Sequence, residues 1–270
     1  MKTLSYHNKP ELKAKAVAMA RHHRGDGMLL AGIYGFTEGG LFKGCSVGCD
    51  AYDILGYPEL DSPHKITAEY FGFPEWLEHL RDILFENLTE EDSLHFHVDL
   101  KEAIPVGVDL EPVKHMLTIR RMDRLTYLLK ADTEHDSPEV IASLEIVKRC
   151  AEAEISGDEC DWAEAAEAAI SAAMSAKETA MSAKKTADPA KEAADSAKEV
   201  AIPEVWSSGS PETAAWSAES ASLAAAAAAG SSLWVEAAEA AFRQERDDLF
   251  EILAGMESTT KILSTQDLAK

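Results

Sequence analysis

The chain has 270 residues, and its 48 acidic residues outnumber its 26 basic residues to give a formal net charge of -22. Such a charge repels nucleic-acid phosphates and anionic membrane surfaces, so the composition disfavours direct binding of DNA, RNA or membranes. It attracts basic proteins, including the nucleic-acid-binding face of another protein. A purely solubilising role for the charge remains an open alternative.

From the sequence we expect neither a secretory signal nor a membrane-spanning segment. The residues after Met1 lack the apolar segment of a signal peptide, and no run reaches the roughly 18 apolar residues of a membrane span. The four cysteines, at positions 45, 49, 150 and 160, are sparse, which fits a reducing compartment better than a disulfide scaffold. We therefore expect a soluble, cytoplasmic protein.

The first part of the chain predicts helices joined by short loops. Pro10 sits where a first helix would begin, and Gly25 and Gly27 would end it. The short apolar run 28–34 could be a strand or a buried helical turn, because periodicity does not separate these alternatives. Residues 35–40 read as a loop, and 44–55 as a helix that Gly56 stops.

Four further helices follow in the same half. The segment that begins at Pro74 carries apolar residues on one face, so it predicts an amphipathic helix through Leu88. Asp109 can cap a later helix that reaches Leu129. The other predicted helices cover 64–71 and 89–104.

The composition changes after Asp132. A helix opens at Ser137-Pro138-Glu139, and the chain becomes rich in alanine from Trp162. Residues 171–198 form four consecutive seven-residue units, each close to x-x-Ala-x-Ser/Pro-Ala-Lys. This period places one stripe of small residues along a helix, where it lets helix axes approach closely.

These patterns predict a mainly α-helical protein with two domains. The first, residues 1–131, is helical with at most a minor strand element and carries Cys45 and Cys49. The second, residues 132–270, combines an acidic helix with a hairpin stack of alanine-rich helices.

The segment from Lys43 to Asp53, here called the cassette, is the strongest candidate for chemistry. Cys45 and Cys49 stand four residues apart, so on a helix they point the same way. A cysteine in the first turn of a helix has a lowered thiol pKa and is a potential nucleophile, with His64 the nearest downstream base. The pair could also hold part of a zinc site. Alternatively, Gly44 and Gly48 allow close helix packing and both thiols are buried core.

Other polar residues offer weaker candidates. Tyr34, Asp50, Tyr52 and Asp53 flank the cassette and would line a ligand-binding pocket there. His95 and His97 would share a face on a strand, but on the helix that we predict they diverge by about 200°. His22-His23-Arg24 is a basic patch that could bind a phosphate or an acidic ligand, but we expect a solvated helix end. We accordingly expect no metal and no cofactor.

Several motifs occur in a fixed order along the chain. They are the cassette sequence KGCSVGC, the GFPEWL helix with DILFENL, the segment EAIPVGVDL, and the alanine-serine-tryptophan texture around Trp216. In this order they resemble an uncharacterised family of phage, prophage and bacterial proteins with a KGCxVGC cassette, an AIPVGxDL turn and a repeat tail. The resemblance implies a phage or mobile-element context, hence the host cytoplasm, but no activity or catalytic residues. The longer segment 57–65 and the acidic stretch 132–161 depart from the family pattern.

The function expected from these observations is non-enzymatic. The protein would bind a basic or nucleic-acid-binding host protein through its acidic surface and close-packed helices, and inhibit or sequester it. Self-association into a homo-oligomer is a further expectation of the small-residue helices. The alternative is a small-molecule-binding protein or cysteine-dependent enzyme with a pocket at Cys45, Cys49 and His64.

Overall fold

The computed structural model describes residues 3–56, 62–131, 138–171 and 240–256. In these residues the protein is mainly α-helical with a small two-stranded sheet, so the predicted fold class is confirmed. The chain opens with a short 3-10 helix, Ser5–Asn8. The elements that follow, in order, are α1 (Pro10–Gly25), β1 (Phe36–Glu38), β2 (Leu41–Lys43), α2 (Ser46–Leu55), α3 (Pro63–Phe71), α4 (Glu75–Asn87), α5 (Glu90–Ala103), α6 (Glu111–Ala131) and α7 (Pro138–Ser156). Residues 162–171 and 240–256 are also helical.

Local sequence explains where these helices begin and end. Proline occupies the first turn of α1 and α3, where its missing amide hydrogen costs nothing. The Thr89 side chain accepts a hydrogen bond from the amide of Asp92 and so caps α5. Gly56 and Gly72 end α2 and α3 in the left-handed conformation that glycine adopts most readily.

The hairpin before the cassette differs from the loop expected at residues 35–40. Strands β1 and β2 pair antiparallel, with Thr37 opposite Phe42. The preceding run 28–34 is neither a regular strand nor a helix, although Leu29 forms an isolated parallel bridge with Gly44. Because the Gly44 amide donates to Met28 at 2.9 Å, this run lies against the start of the cassette.

The described residues fall into two units of contacts, 3–114 with 240–256 and 115–171, so the division lies within α6. In the first unit the ring of buried Tyr6 packs edge-on against Phe71 and Phe73. Residues 240–256 join this unit, because Arg246 Nη1 donates to Asp92 Oδ1 at 2.8 Å and Phe250 packs near Phe96.

The second unit has a core of smaller side chains. One hydrophobic cluster in this unit consists of the buried residues Met122, Leu144, Val147, Cys150, Ala151, Trp162, Ala165, Ala166 and Ala169. Cys150 and Cys160 form a disulfide, whereas the sparse cysteines suggested free thiols. The spacing of ten residues lets the end of α7 and the following turn bring the two sulfur atoms together.

The heptad units beyond residue 171 and the predicted hairpin stack lie outside the described residues, so that arrangement stays a prediction. So does a domain boundary near residue 131. Among the described helices, none has both the length and the apolar composition needed to cross a membrane.

Candidate functional site around helix α2

The two cassette cysteines are buried at the start of α2. Cys45 is the N-cap residue, and its sulfur accepts a hydrogen bond from the amide of Gly48 at 3.4 Å. Cys49 lies one turn on and donates to the carbonyl oxygens of Met28 and Gly44 at 3.6 and 3.4 Å. Exposure is 1% for Cys45 and 0% for Cys49, so neither thiol reaches solvent.

Gly44 and Gly48 are required by the backbone of the preceding loop. A Cβ atom at either position would overlap the carbonyl of Tyr34. The sequence correctly suggested that these glycines permit a close approach. However, what approaches them is loop backbone, and the expectation of a packed helix was wrong.

The predicted lowering of the Cys45 pKa is also wrong. Burial and the neighbouring Asp82 carboxylate raise the pKa of Cys45 far above its usual range. The amides of Gly48 and Val47 act in the opposite direction but do not prevail. Burial, followed by the charge of Asp50, raises the pKa of Cys49 to about 12. Both thiols are therefore protonated at neutral pH and are poor nucleophiles.

Asp82 joins Cys45 to His64. His64 Nε2 lies 3.0 Å from Asp82 Oδ2. One ligand atom each of Cys45, Asp82 and Glu86 falls within a 4.8 Å group. We call Cys45, His64, Asp82 and Glu86 the Cys45 cluster. The Gly32 amide donates to Glu86 Oε2 at 2.5 Å, and burial raises the pKa of Glu86, as does the charge of Asp82.

Two aromatic rings border the Cys45 cluster. The Tyr34 ring meets His64 edge-on at 5.6 Å between centroids, and the His79 ring stacks on His64 at 4.0 Å. Tyr34 is 44% exposed, so this side of α2 is close to solvent. Chemically, the cluster can hold a cation or a hydrogen-bonding ligand, whereas its protonated thiol does not favour attack on a substrate.

The opposite side of α2 faces a set of buried charges. Asp50 Oδ2 is contacted by Arg81 Nη1 and, at 3.0 Å, by Lys101 Nζ. Arg81 Nη2 lies 2.5 Å from Glu78 Oε2, which also accepts a hydrogen bond from Thr67 at 2.9 Å. We call Asp50, Glu78, Arg81 and Lys101 the buried charge cluster, since each is at most 1% exposed.

The charges in this cluster decide one another's protonation. Burial favours the neutral acid of Asp50, but Lys101 and Arg81 together hold the pKa of that carboxyl well below its usual range. Burial lowers the pKa of Lys101 to about 8, and the charge of Arg81 acts in the same direction. The Lys101 ammonium also lies 3.5 Å from the centroid of the Phe71 ring, a cation–π contact.

A pair of buried histidines adjoins the charge cluster. His23 Nδ1 lies 3.1 Å from His97 Nε2, and His23 Nε2 lies 3.1 Å from Asp53 Oδ2. The rings stack at 5.4 Å, and burial lowers the pKa of His97 well below its usual range. His95 contacts Arg24 instead, so the predicted divergence of His95 and His97 on a helix is confirmed. The prediction that His22-His23-Arg24 is a solvated helix end was wrong for His23, which is 0% exposed.

The predicted site residues thus separate into groups. Tyr34 and His64 adjoin Cys45, whereas Asp50 and Asp53 lie with the buried charges and histidines. Tyr52 belongs to neither group, because its ring stacks on Phe42 at 4.1 Å.

No motif in the sequence pointed to the site residues Glu78, Arg81, Asp82, Glu86 and Lys101. One signal was available. Arg81 follows Leu77 by four residues and precedes Leu84 by three, which places a charge on the apolar face of α4.

Comparison with known proteins finds no matching family model, no matching curated protein and no matching solved structure. We therefore infer the function from the arrangement of residues around α2.

Proposed function

We propose that the protein is a non-enzymatic interaction protein of phage or mobile-element type. One observation carries this proposal. Seven large hydrophobic side chains are exposed among the described residues, and four of them lie between positions 30 and 36. These are Leu30, Ile33, Tyr34 and Phe36, exposed by 43%, 44%, 44% and 37%. We call residues 30–36 the exposed loop. Such a concentration of apolar surface is typical of a protein-binding site.

The cassette and Glu86 of α4 hold the exposed loop in place. The Cys45 amide donates to the carbonyl of Ile33 at 2.8 Å, and the Gly32 amide donates to Glu86. At the same point, Gly44 and Gly48 make room for the Tyr34 backbone. A loop fixed before binding loses less conformational entropy when a partner docks, so these contacts favour affinity.

The charge indicates which partner chemistry fits. The chain carries a net charge of -22, and the carboxylates of Asp82 and Glu86 lie beside Tyr34, where they raise its pKa after the larger effect of burial. A basic protein surface with apolar residues at its centre complements this arrangement. Binding would block that surface and so inhibit or sequester a host protein.

The test is affinity capture from host extract at low and at physiological salt. We expect one basic protein to bind the wild type, to weaken with salt, and to be lost with Leu30→Ser combined with Ile33→Ser. The matched control is Tyr127→Ser, which removes an aromatic side chain that is 73% exposed on α6. Equal capture by the loop variant and the control contradicts the proposal. The proposal is also contradicted if light scattering shows a monomer and the capture experiment retains no partner protein.

A ligand-binding or cysteine-dependent function is the second candidate, because Asp82 brings Cys45 and His64 together. It requires Cys45 to react with an alkylating reagent in the native protein. Mass spectrometry of the alkylated peptides measures this directly. If Cys45 and Cys49 react only after denaturation, the reactive-site function is excluded.

A further inference from the structure

We propose that His23, Asp50 and His97 form a binding site for a divalent transition-metal ion such as zinc. One ligand atom from each residue falls within a 4.8 Å group, and all three residues are buried. They come from α1, α2 and α5, so the site joins three helices. Two imidazoles with one carboxylate are a donor set that zinc and related divalent ions accept.

The contact of His23 with Asp53, through the ring nitrogen that would not bind the metal, prepares His23 to bind an ion through its other nitrogen. Asp53 accepts from His23 Nε2 at 3.1 Å, and this contact places the ring hydrogen on that nitrogen. In the neutral ring, His23 Nδ1 then carries a lone pair directed toward His97 Nε2. A carboxylate behind the ring is the usual support of a metal-bound histidine, because it fixes the tautomer and the orientation.

Asp50 supplies the third donor through an oxygen that has no other described partner. Arg81 and Lys101 both contact Oδ2, whereas Oδ1 is buried without a hydrogen bond. Oδ1 lies 3.8 Å from His23 Nδ1, too far for a hydrogen bond. A metal ion bound by both atoms removes the cost of leaving this oxygen unpaired.

The distances fit a shared ion with a small adjustment. Neighbouring ligands with bonds of about 2.0–2.2 Å lie about 3.0–3.5 Å apart. The 3.1 Å between His23 Nδ1 and His97 Nε2 falls in this range, and the 3.8 Å to Asp50 is slightly longer. For His97 to bind through Nε2, its ring hydrogen has to lie on Nδ1, which is buried without a hydrogen-bond partner.

The surrounding charges also accommodate a cation. Asp50, Asp53 and Glu78 are three carboxylates around two cationic side chains, Arg81 and Lys101. With neutral histidines this set has one uncompensated negative charge. A divalent ion more than offsets this charge and leaves the set at +1, whereas a proton shared by the histidine pair, which is the competing arrangement, balances it.

The experiment measures zinc in the full-length protein, purified after growth with added zinc and then desalted. We expect about one zinc per chain by elemental analysis, and a lower thermal midpoint after treatment with a strong chelator. His97→Gln and His23→Gln should lose the zinc. The neighbouring His95→Gln and His22→Gln should retain it, because His95 contacts Arg24 and His22 pairs with Asp26.

Two further variants keep the test decisive. If the ligand variants fail to fold, Asp53→Asn should still weaken zinc binding about 10–100-fold by removing the support of His23. Cys45→Ser should leave zinc unchanged, since it alters only the alternative group of Cys45, Asp82 and Glu86. A protein without zinc, zinc retained in His23→Gln and His97→Gln, or zinc lost in Cys45→Ser would each overturn the proposal. None of these outcomes depends on a protein partner.

Discussion

The two sides of α2 place acidic groups in buried surroundings with opposite results. On one side Asp50 faces Arg81 and Lys101, and its pKa is held well below the usual range. On the other side Asp82 contacts His64 and Cys45, Glu86 accepts a hydrogen bond from the amide of Gly32, and the pKa values of Glu86 and Cys45 are raised. Burial alone therefore does not determine ionisation. The charges and hydrogen bonds around each group decide it together with burial.

The largest expected effect comes from removing Arg81, one of the two cations on the Asp50 side. Arg81→Gln leaves Asp50 and Glu78 buried without their shared partner, so we expect the free energy of unfolding to fall by about 3–5 kcal/mol. Urea denaturation measures the loss.

Arg21→Gln is the matched control for this prediction. Arg21 pairs with Glu102 at 2.6 Å, but the two side chains are 62% and 43% exposed. Its replacement should change the free energy of unfolding by less than about 1 kcal/mol. If Arg81→Gln and Arg21→Gln lower the free energy of unfolding equally, burial of the charges does not determine how much an ion pair contributes to stability.

A smaller effect is expected on the Cys45 side. Gly48→Ala places a methyl group against the Tyr34 carbonyl, so either the loop or α2 must move. We expect a loss of about 1–3 kcal/mol in the free energy of unfolding, measured by thermal or urea denaturation. Gly25→Ala is the control, because its added methyl would meet no atom within 4 Å. A tolerated Gly48→Ala would mean that the exposed loop does not need this contact.

The smallest effect is a pair of opposite pH dependences. Lys101 has a folded pKa of about 8, below its unfolded value, so its contribution to the free energy of unfolding rises with pH between about 8 and 10.5. Cys45 has a raised folded pKa, so its contribution falls as pH increases above about 9.

Stability measured against pH in Lys101→Met and Cys45→Ser separates the two contributions. Relative to the wild type, Lys101→Met should lose the contribution to unfolding free energy that rises with pH. Cys45→Ser should lose the contribution that falls with pH. The measurements are made with a chelator, so that no metal affects the buried groups. For each variant, the difference in unfolding free energy from the wild type is plotted against pH. If the two plots have slopes of the same sign, the proposed difference between the two sides of α2 is contradicted.

The helices could be predicted because their signals are local. Pro10 marks the start of α1, Gly56 ends α2, and apolar spacing around Leu77 and Leu84 defines α4. The cassette was also identifiable, since two cysteines and two glycines lie within a few residues. The partners of Asp50 were not predictable. Lys101 and Arg81 reach it from different helices, and the sequence does not state which helix faces meet.

The thiols illustrate the same limit. The sequence placed Cys45 correctly at the start of a helix, where amides lower a thiol pKa. It gave no information on burial or on Asp82, and these reverse the direction of the shift. Likewise, the pattern of His95 and His97 showed that the rings diverge on a helix, but it did not show that His97 meets His23.

The contact between Asp92 and Arg246 has a consequence for the order of events during synthesis. The two residues are 154 positions apart, and the intervening residues 115–171 belong to the other unit. As the chain leaves the ribosome, the cassette emerges early. The helix of residues 240–256, which contacts Asp92, emerges only after residues 115–171. The unit of residues 115–171 can therefore fold first. The unit that contains the cassette is completed last, although residues 3–114 of that unit are translated first.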